Sequence, residues 1–284
     1  MGLTEIIATV QSVFVPQLCE VEPFKSPADL AVVELCAGCG QLSASFRDLG
    51  FQVVPFDHSK NRHHTRVAVY NLDLDSDNSS DILHDLICSS EVAYVHSAPP
   101  CGTASKARDR PISHELRKQG VPSPPPLRSA AFPLGLPNLR EADRQRVEAA
   151  NKIYFIIFRI VRLCIKRGIL FSIENPASSY YWSFPDWEKF PEDSFEDFDF
   201  AGCMHGGDRD RNCRWRATPG LLTELRAKCD NSHQHRPWSV TKKDAVWNFS
   251  TAEEAEYPKL LTRSCCLVSC NFPPSEAPYE FFLC

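Results

Sequence analysis

Glycine is scarce in this sequence, 12 in 284 residues against 22 prolines, within a composition otherwise ordinary for a globular protein. Long uncharged apolar runs are missing as well. The most apolar segment, 153–173, is interrupted by Arg159, Arg162, Lys166 and Arg167, which excludes it as a membrane span. Residues 1–20 have no basic start, carry Glu5 and show no small-residue cleavage site after a clean apolar core, so no secretory signal is expected. The 13 cysteines are therefore expected as reduced thiols in the nucleus or cytoplasm, not as disulfides. Lipid anchors are not expected either. Ile6 stands where myristoylation after Met1-Gly2 needs Ser or Thr, and Cys284 ends the chain where a prenylation box would need three more residues. Positive charge is not in excess; a net charge of -5 argues against a surface that coats nucleic acid throughout, although local patches matter more than the sum. No internal repeat and no clear domain boundary stand out, and the length suits one large domain or two small ones.

The chain is organised around His96-Ser97-Ala98-Pro99-Pro100-Cys101-Gly102-Thr103. The apolar run 92–95 leads into two prolines, which fix φ, donate no backbone hydrogen bond and so end the strand. A thiol is thereby carried past the end of a buried strand on a stiff turn. Upstream, residues 4–18 read as a short helix. Ala31 to Cys36 reads as a buried parallel strand that enters Ala37-Gly38-Cys39-Gly40 and then a helix with Leu42, Phe46 and Leu49 on one face and Gly50 as its stop. Strands are expected over 51–56 and 67–70, a helix over 82–87, and a long amphipathic helix from Glu141 to about Lys166, with Ile153, Ile157, Ile160 and Cys164 facing the core. Gly168 ends that helix, and a strand over 169–173 delivers Glu174-Asn175-Pro176 to the sheet edge that holds Cys101. Alternating strands and helices imply a parallel sheet with right-handed crossovers. Residues 104–140 break the rhythm with Lys106, Arg108, Arg110, Arg117, Lys118 and Arg128 and a proline cluster, as a functional loop or a disordered insert would. Residues 186–199 read as a solvated acidic face anchored by aromatics.

Glycines at a strand-to-helix turn let a ligand approach backbone amides at a helix N-terminus. Asp57 lies 17 residues beyond Gly40, where a strand-end acid could accept from ribose hydroxyls, and Asp73 after the third strand could receive an amino group such as that of adenine. Together they outline an adenosine-type site.

Glu34-Leu35-Cys36-Ala37-Gly38-Cys39-Gly40, Pro99-Pro100-Cys101 and Glu174-Asn175-Pro176, in this order and spacing, resemble the cofactor, nucleophile and base-binding motifs of the cytosine-C5 DNA methyltransferase family. Arg209-Asp210-Arg211 resembles that family's Arg-x-Arg motif more loosely, and Tyr257-Pro258 its closing motif. The pattern looks closest to divergent members from eukaryotic mobile elements. The resemblance covers about residues 30–265 and implies an α/β, Rossmann-like S-adenosylmethionine-dependent methyltransferase fold with a mostly parallel sheet and a small C-terminal recognition region. It implies S-adenosyl-L-methionine as cofactor, contacted by Glu34, Cys36, Gly38, Gly40, Asp57, Asp73 and Pro99. It implies cytosine-containing DNA as partner, RNA being the alternative. Cys101 would add to C6 of the base, Glu174 would hold its N3 edge, and one of Arg209 and Arg211 would bind the ring oxygen. The basic loop after Cys101 would support the thiolate and grip phosphates while the base is flipped out.

The implied organisation is an N-terminal helical extension over 1–29, a catalytic domain over 30–202 and 253–270, a target-recognition-like region over 203–252 and a tail over 271–284, in a monomer. The sequence departs from the family where Gly102-Thr103 replaces the usual Gln, where Pro176 replaces an aliphatic residue, and where only about forty residues separate Arg216 from Tyr257. A catalytically weak nucleic-acid-binding module of the same fold is the further alternative. No metal is expected in the chemistry. Zinc on Cys203, His205, Cys213, Cys229, His233 and His235 is an alternative to packed or base-contacting histidines, since Cys-x-His and Cys-x-x-x-His-x-His are not standard finger spacings.

Overall fold

A computed structural model describes residues 26–89, 91–244, 246–251 and 256–270; the helix expected over 4–18 and the tail 271–284 lie outside the described residues. The apolar runs form β1 (Ala31–Leu35), β2 (Gln52–Asp57), β3 (Tyr70–Asn71), β4 (Val92–Ser97) and β5 (Leu170–Pro176), joined as parallel neighbours. Two further strands, β6 (Glu196–Ala201) and β7 (Asn212–Ala217), complete a seven-stranded sheet in the order β3-β2-β1-β4-β5-β7-β6. β7 runs antiparallel to both β5 and β6. This order with one reversed strand is the Rossmann-like methyltransferase fold that the sequence implies. The connections leave β1 and β4 in opposite directions, so the carboxyl ends of these two neighbours flank the topological switch point where open α/β sheets bind ligands. A separate hairpin, β8 (Val240–Lys243) with β9 (Val246–Phe249), follows β7.

Alternation along the strands fills two core layers. On one face Val33, Leu35, Val95 and Ile173 meet α4 (Glu141–Arg167) through Tyr154, Ile157, Phe158 and Cys164. On the other, Val32, Tyr94, Trp215 and Ala217 meet Leu42 and Phe46 of α1 (Gln41–Arg47) and Leu261, Cys265 and Cys266 of α5 (Lys259–Cys270). The remaining helices are α2 (Ser79–Ser89) and the short α3 (His114–Lys118). As expected, α4 stops at Gly168, which takes a left-handed φ of 67° and donates to the carbonyls of Cys164 and Ile165. Among the described residues no helix is long and apolar enough to cross a membrane.

The structure corrects two expectations and decides between two alternatives for a third segment. α1 ends at Arg47, before Leu49; the chain turns through Asp48 to a positive-φ Gly50, and Leu49 leaves the core face, 40% exposed. β3 is two residues long, so Val67 packs without pairing in the sheet. Residues 104–140 are ordered through α3 and a buried Arg128, described below. In addition, the span 203–252 contains β7 and therefore supplies a strand to the main sheet.

Candidate active site

β1 enters its turn through Cys36, a non-glycine residue at φ 58°, and Gly38 and Gly40 follow at 56° and 67°. Gly40 must stay glycine, because an added Cβ would lie 2.7 Å from a methyl of Val67. At Gly38 an added Cβ would meet only the His63 ring, at 3.8 Å and beyond, so this part of the turn remains approachable. Glu34 serves the turn from below. Its buried carboxylate accepts from the Ser43 amide at 2.9 Å and the Ser43 hydroxyl at 2.5 Å, tying β1 to the first turn of α1. Burial pushes this carboxyl up to about 7 against those two hydrogen bonds.

Asp57 accepts from the amides of Gly38 at 2.5 Å and His58 at 2.7 Å, and Asp73 from the amide of Ser59 at 2.8 Å and its hydroxyl. Asp73 is held below the usual carboxylate range by the Ser59 hydrogen bonds. The loop between β2 and β3 lies against the turn, with Asn61 donating to the Gly38 carbonyl at 2.7 Å and the Arg66 amide to that of Cys39 at 2.8 Å. Both oxygens of Asp57 and Oδ2 of Asp73 keep a second lone pair, and the buried Gln41 Oε1 on the first turn of α1 has no hydrogen-bond partner among the described residues. An approachable glycine turn, strand-end acids and an unpaired amide oxygen suit a ligand that carries hydroxyl and amino groups.

Beside this turn, β4 leads through Ala98 into Pro99-Pro100-Cys101, which is fixed from three sides. Asn175 Nδ2 donates to the Pro99 carbonyl at 3.0 Å, Tyr154 Oη to that of Pro100 at 2.6 Å, and the Cys101 carbonyl accepts from the Ala104 and Ser105 amides. The Cys101 thiol is half-buried, and Gly102 opens outward with nothing within 4 Å of an added Cβ. Glu174, buried at the end of β5, receives Arg211 Nη2 at 3.0 Å. Burial pushes the Glu174 carboxyl up, opposed by the Arg211 charge. Burial opposes the Arg211 charge, but Glu174 together with Cys213, Cys101 and Tyr257 outweighs it and holds the guanidinium firmly protonated. The Cys101 thiol is raised first by burial, then by the Glu174 charge, with Arg211 pulling the other way.

Cys101, Glu174 and Arg211 thus form one electrostatic group. Arg209 is directed elsewhere: it is 1% exposed, donates to the Pro237 carbonyl at 2.5 Å and lies over the Trp238 ring. The expected support of the thiolate by the basic loop does not hold. Arg128 is buried and donates to Thr103 Oγ1 at 2.9 Å, the Pro133 carbonyl and Asn151, while Arg108 closes the loop onto the Gly102 and Pro125 carbonyls. Lys106, Arg110, Arg117 and Lys118 alone of that set are exposed. Sequence reasoning also missed His96, which is fully buried, kept neutral by burial at about 3, and bridged between Ser172 at 2.7 Å and Tyr257 Oη at 3.0 Å. Only the position of this histidine inside an apolar strand could have flagged it.

Of the Cys/His set, Cys203, Cys229, His233 and His235 bring their ligand atoms within 4.8 Å of one another. His205 is not among them; its buried ring faces the Leu225 carbonyl at 2.8 Å. Cys213 is also apart, against Glu174.

The chain thus has an α/β domain of Rossmann-like methyltransferase fold that places a thiol, a carboxylate and a guanidinium at the sheet edge. No family model matches the chain, and no curated protein matches it. Solved structures are similar in part. The Entamoeba histolytica methyltransferase EhMeth aligns with a TM-score of 0.40 and 13% identity over 75% of this chain and 58% of that one. The S. pombe Dnmt2 methyltransferase aligns with a TM-score of 0.36 and 8% identity over 73% and 57%. A Spodoptera frugiperda DNMT2 variant aligns with a TM-score of 0.38 and 13% identity over 76% and 56%. The chain thus covers less than two thirds of each.

Proposed function

We propose that this chain is an S-adenosylmethionine-dependent methyltransferase that acts on C5 of cytosine in DNA through a covalent Cys101 adduct. The observation that carries this reading is the thiol on a proline turn immobilised by Tyr154 and Asn175, beside the Glu174–Arg211 pair. Cytosine C5 is a poor nucleophile, and addition of a thiolate at C6 raises its electron density. A base flipped into the site would enter through the opening at Gly102. The raised proton affinity of Glu174 suits it to share a proton with N3 as charge develops there. Arg211, released from the carboxylate by the base, would bind the ring oxygen and favour the thiolate. The turn 36–40, with Asp57, Asp73 and Pro99 around it, would hold the cofactor, which supplies an electrophilic methyl group. After transfer, the C5 proton passes to water, the C5–H electron pair re-forms the C5–C6 double bond, and Cys101 leaves as the thiolate, which restores the aromatic ring.

Transfer of radiolabelled methyl groups to DNA and to RNA, by the wild type and by Cys101→Ser, tests this. The expected result is label on DNA at C5, absent with Cys101→Ser. Label on RNA alone would move the substrate to RNA, and label on neither would remove the activity.

A further inference from the structure

We propose that Cys203, Cys229, His233 and His235 bind one structural zinc ion that cross-links residues 229–238 to the base of β7, independently of the reaction at Cys101. Three of the four ligand atoms lie close to tetrahedral spacing, and Cys203 Sγ is within 4.8 Å of each of them. Cys229 Sγ lies 3.8 Å from His233 Nε2 and 3.5 Å from His235 Nε2, and the two ring nitrogens are 3.1 Å apart. Zinc–sulfur bonds of about 2.3 Å and zinc–nitrogen bonds of about 2.0 Å at tetrahedral angles put ligand atoms roughly 3.3–3.8 Å apart. The two imidazole rings stand edge-on, 86° to each other with centroids 4.8 Å apart, and bring their Nε2 atoms to the same side as Cys229 Sγ.

The surroundings are those of a metal centre. His233 Nδ1 faces Asp230 Oδ1 at 3.6 Å, a carboxylate placed to orient the ring from behind. The Asn231 amide donates to Cys229 Sγ at 3.3 Å, with Asn231 in a left-handed turn at φ 56° that brings the amide back to the sulfur. Two thiolates and two neutral imidazoles cancel the charge of a divalent ion, and a mixed sulfur and nitrogen set of four favours zinc among the common metals. All four positions are taken by protein, which leaves none for a substrate or water, so the site is structural. On binding, the two thiols give up their protons to solvent and the sulfurs bond to the metal.

The site also explains how an irregular segment holds its shape. Between Cys229 and Trp238 there is neither helix nor strand, yet this segment positions the Pro237 carbonyl for Arg209 and the Arg236 amide for the Asp208 carbonyl at 2.6 Å. A cross-link from Cys203 fixes it against the turn that carries Arg209 and Arg211 into β7.

The test is a cobalt(II) titration of the reduced, chelator-stripped full chain, with zinc displacement and alkylation mapping by mass spectrometry. The expected result is one equivalent of cobalt with tetrahedral visible bands and thiolate charge-transfer bands, all lost on adding one equivalent of zinc. Zinc should slow alkylation of Cys203 and Cys229 by about tenfold or more while Cys88 is unaffected. Cys229→Ser should lose the cobalt bands, and Cys203→His should keep the tetrahedral bands with weaker charge transfer. The proposal is overturned if the chain, folded by circular dichroism, shows no thiolate–cobalt bands and alkylates both cysteines equally with and without zinc. It is also overturned if reduced chain gives the same spectrum with Cys229→Ser.

Discussion

At the residue scale the site depends on three charges whose effects can be separated. Cys101 is raised by burial and by Glu174, and Arg211 opposes both. Its alkylation by iodoacetamide should therefore follow a pH midpoint above the ordinary thiol value of about 8.5. Glu174→Gln removes the like charge and should lower that midpoint, whereas Arg211→Ala removes the cation and should raise it. Shifts in the reverse sense would show that the three groups do not share one field. Cys101, Glu174 and Arg211 were all legible as residue types. What could not be read was that Arg209 and Arg211, two positions apart, diverge: Arg211, directly before β7, reaches Glu174, and Arg209 turns to the Pro237 carbonyl. Nor could Arg128 be assigned, since a sequence rich in Arg and Pro does not tell a phosphate-facing guanidinium from a buried one.

At the element scale, the loop after Cys101 is held by Arg128, which reaches Thr103, Pro133 and Asn151 at once. Arg128→Met should cost about 3 kcal/mol of stability in denaturant unfolding. It should also speed amide exchange across 103–136, with the sheet unaffected. Unchanged exchange there would contradict the clamp. α5 is coupled to the sheet through Tyr257, whose hydroxyl meets buried His96 and whose ring lies 5.6 Å from that of Trp215. Tyr257→Phe leaves His96 Nε2 buried without that partner and should cost about 1–3 kcal/mol, read as a lowered Tm. The strands β1, β2, β4 and β5 were visible as apolar runs ended by Cys, Asp or Pro. β6 and β7 were not, because they are written in charges. Asp197 pairs across to Arg216 and Asp199 to Arg214, in register and as salt bridges, while Phe198 and Trp215 between them face the core. Such alternation, read along one strand alone, looks like a solvated face. Arg216 further covers Trp187 and Phe195, which turns part of the acidic segment into packing.

At the scale of the whole molecule, two of the buried titrating groups act on the acid response in opposite directions. Glu34, raised to about 7, binds its proton more tightly folded than unfolded; its contribution is full below about 4.3, its unfolded value, and is lost as pH rises towards 7. His96, lowered to about 3, does the reverse: its contribution is full above about 6.5 and is lost as pH falls towards 3. Each changes stability by roughly 1 kcal/mol per pH unit, so between about pH 6.5 and 4.5 they nearly cancel, and below that His96 acts alone. Chemical denaturation of the wild type should show no loss of stability on acidification across that window, since the raised Glu174 adds to Glu34. Glu34→Gln should instead lose stability steadily on acidification from about pH 6.5 downwards. A wild type and a Glu34→Gln variant with parallel profiles would show that Glu34 does not carry the raised value.

The account as a whole stands on Cys101 as a nucleophile towards cytosine C6. Its most direct measurement is trapping of the purified chain, with S-adenosylmethionine, on DNA and separately on RNA containing 5-fluorocytosine. Fluorine at C5 blocks the final elimination, so an enzyme of this mechanism stays bonded to its substrate on a denaturing gel. A band with DNA that disappears in Cys101→Ser is the predicted result. A chain that binds S-adenosylmethionine yet gives no Cys101-dependent band on either polymer would contradict it.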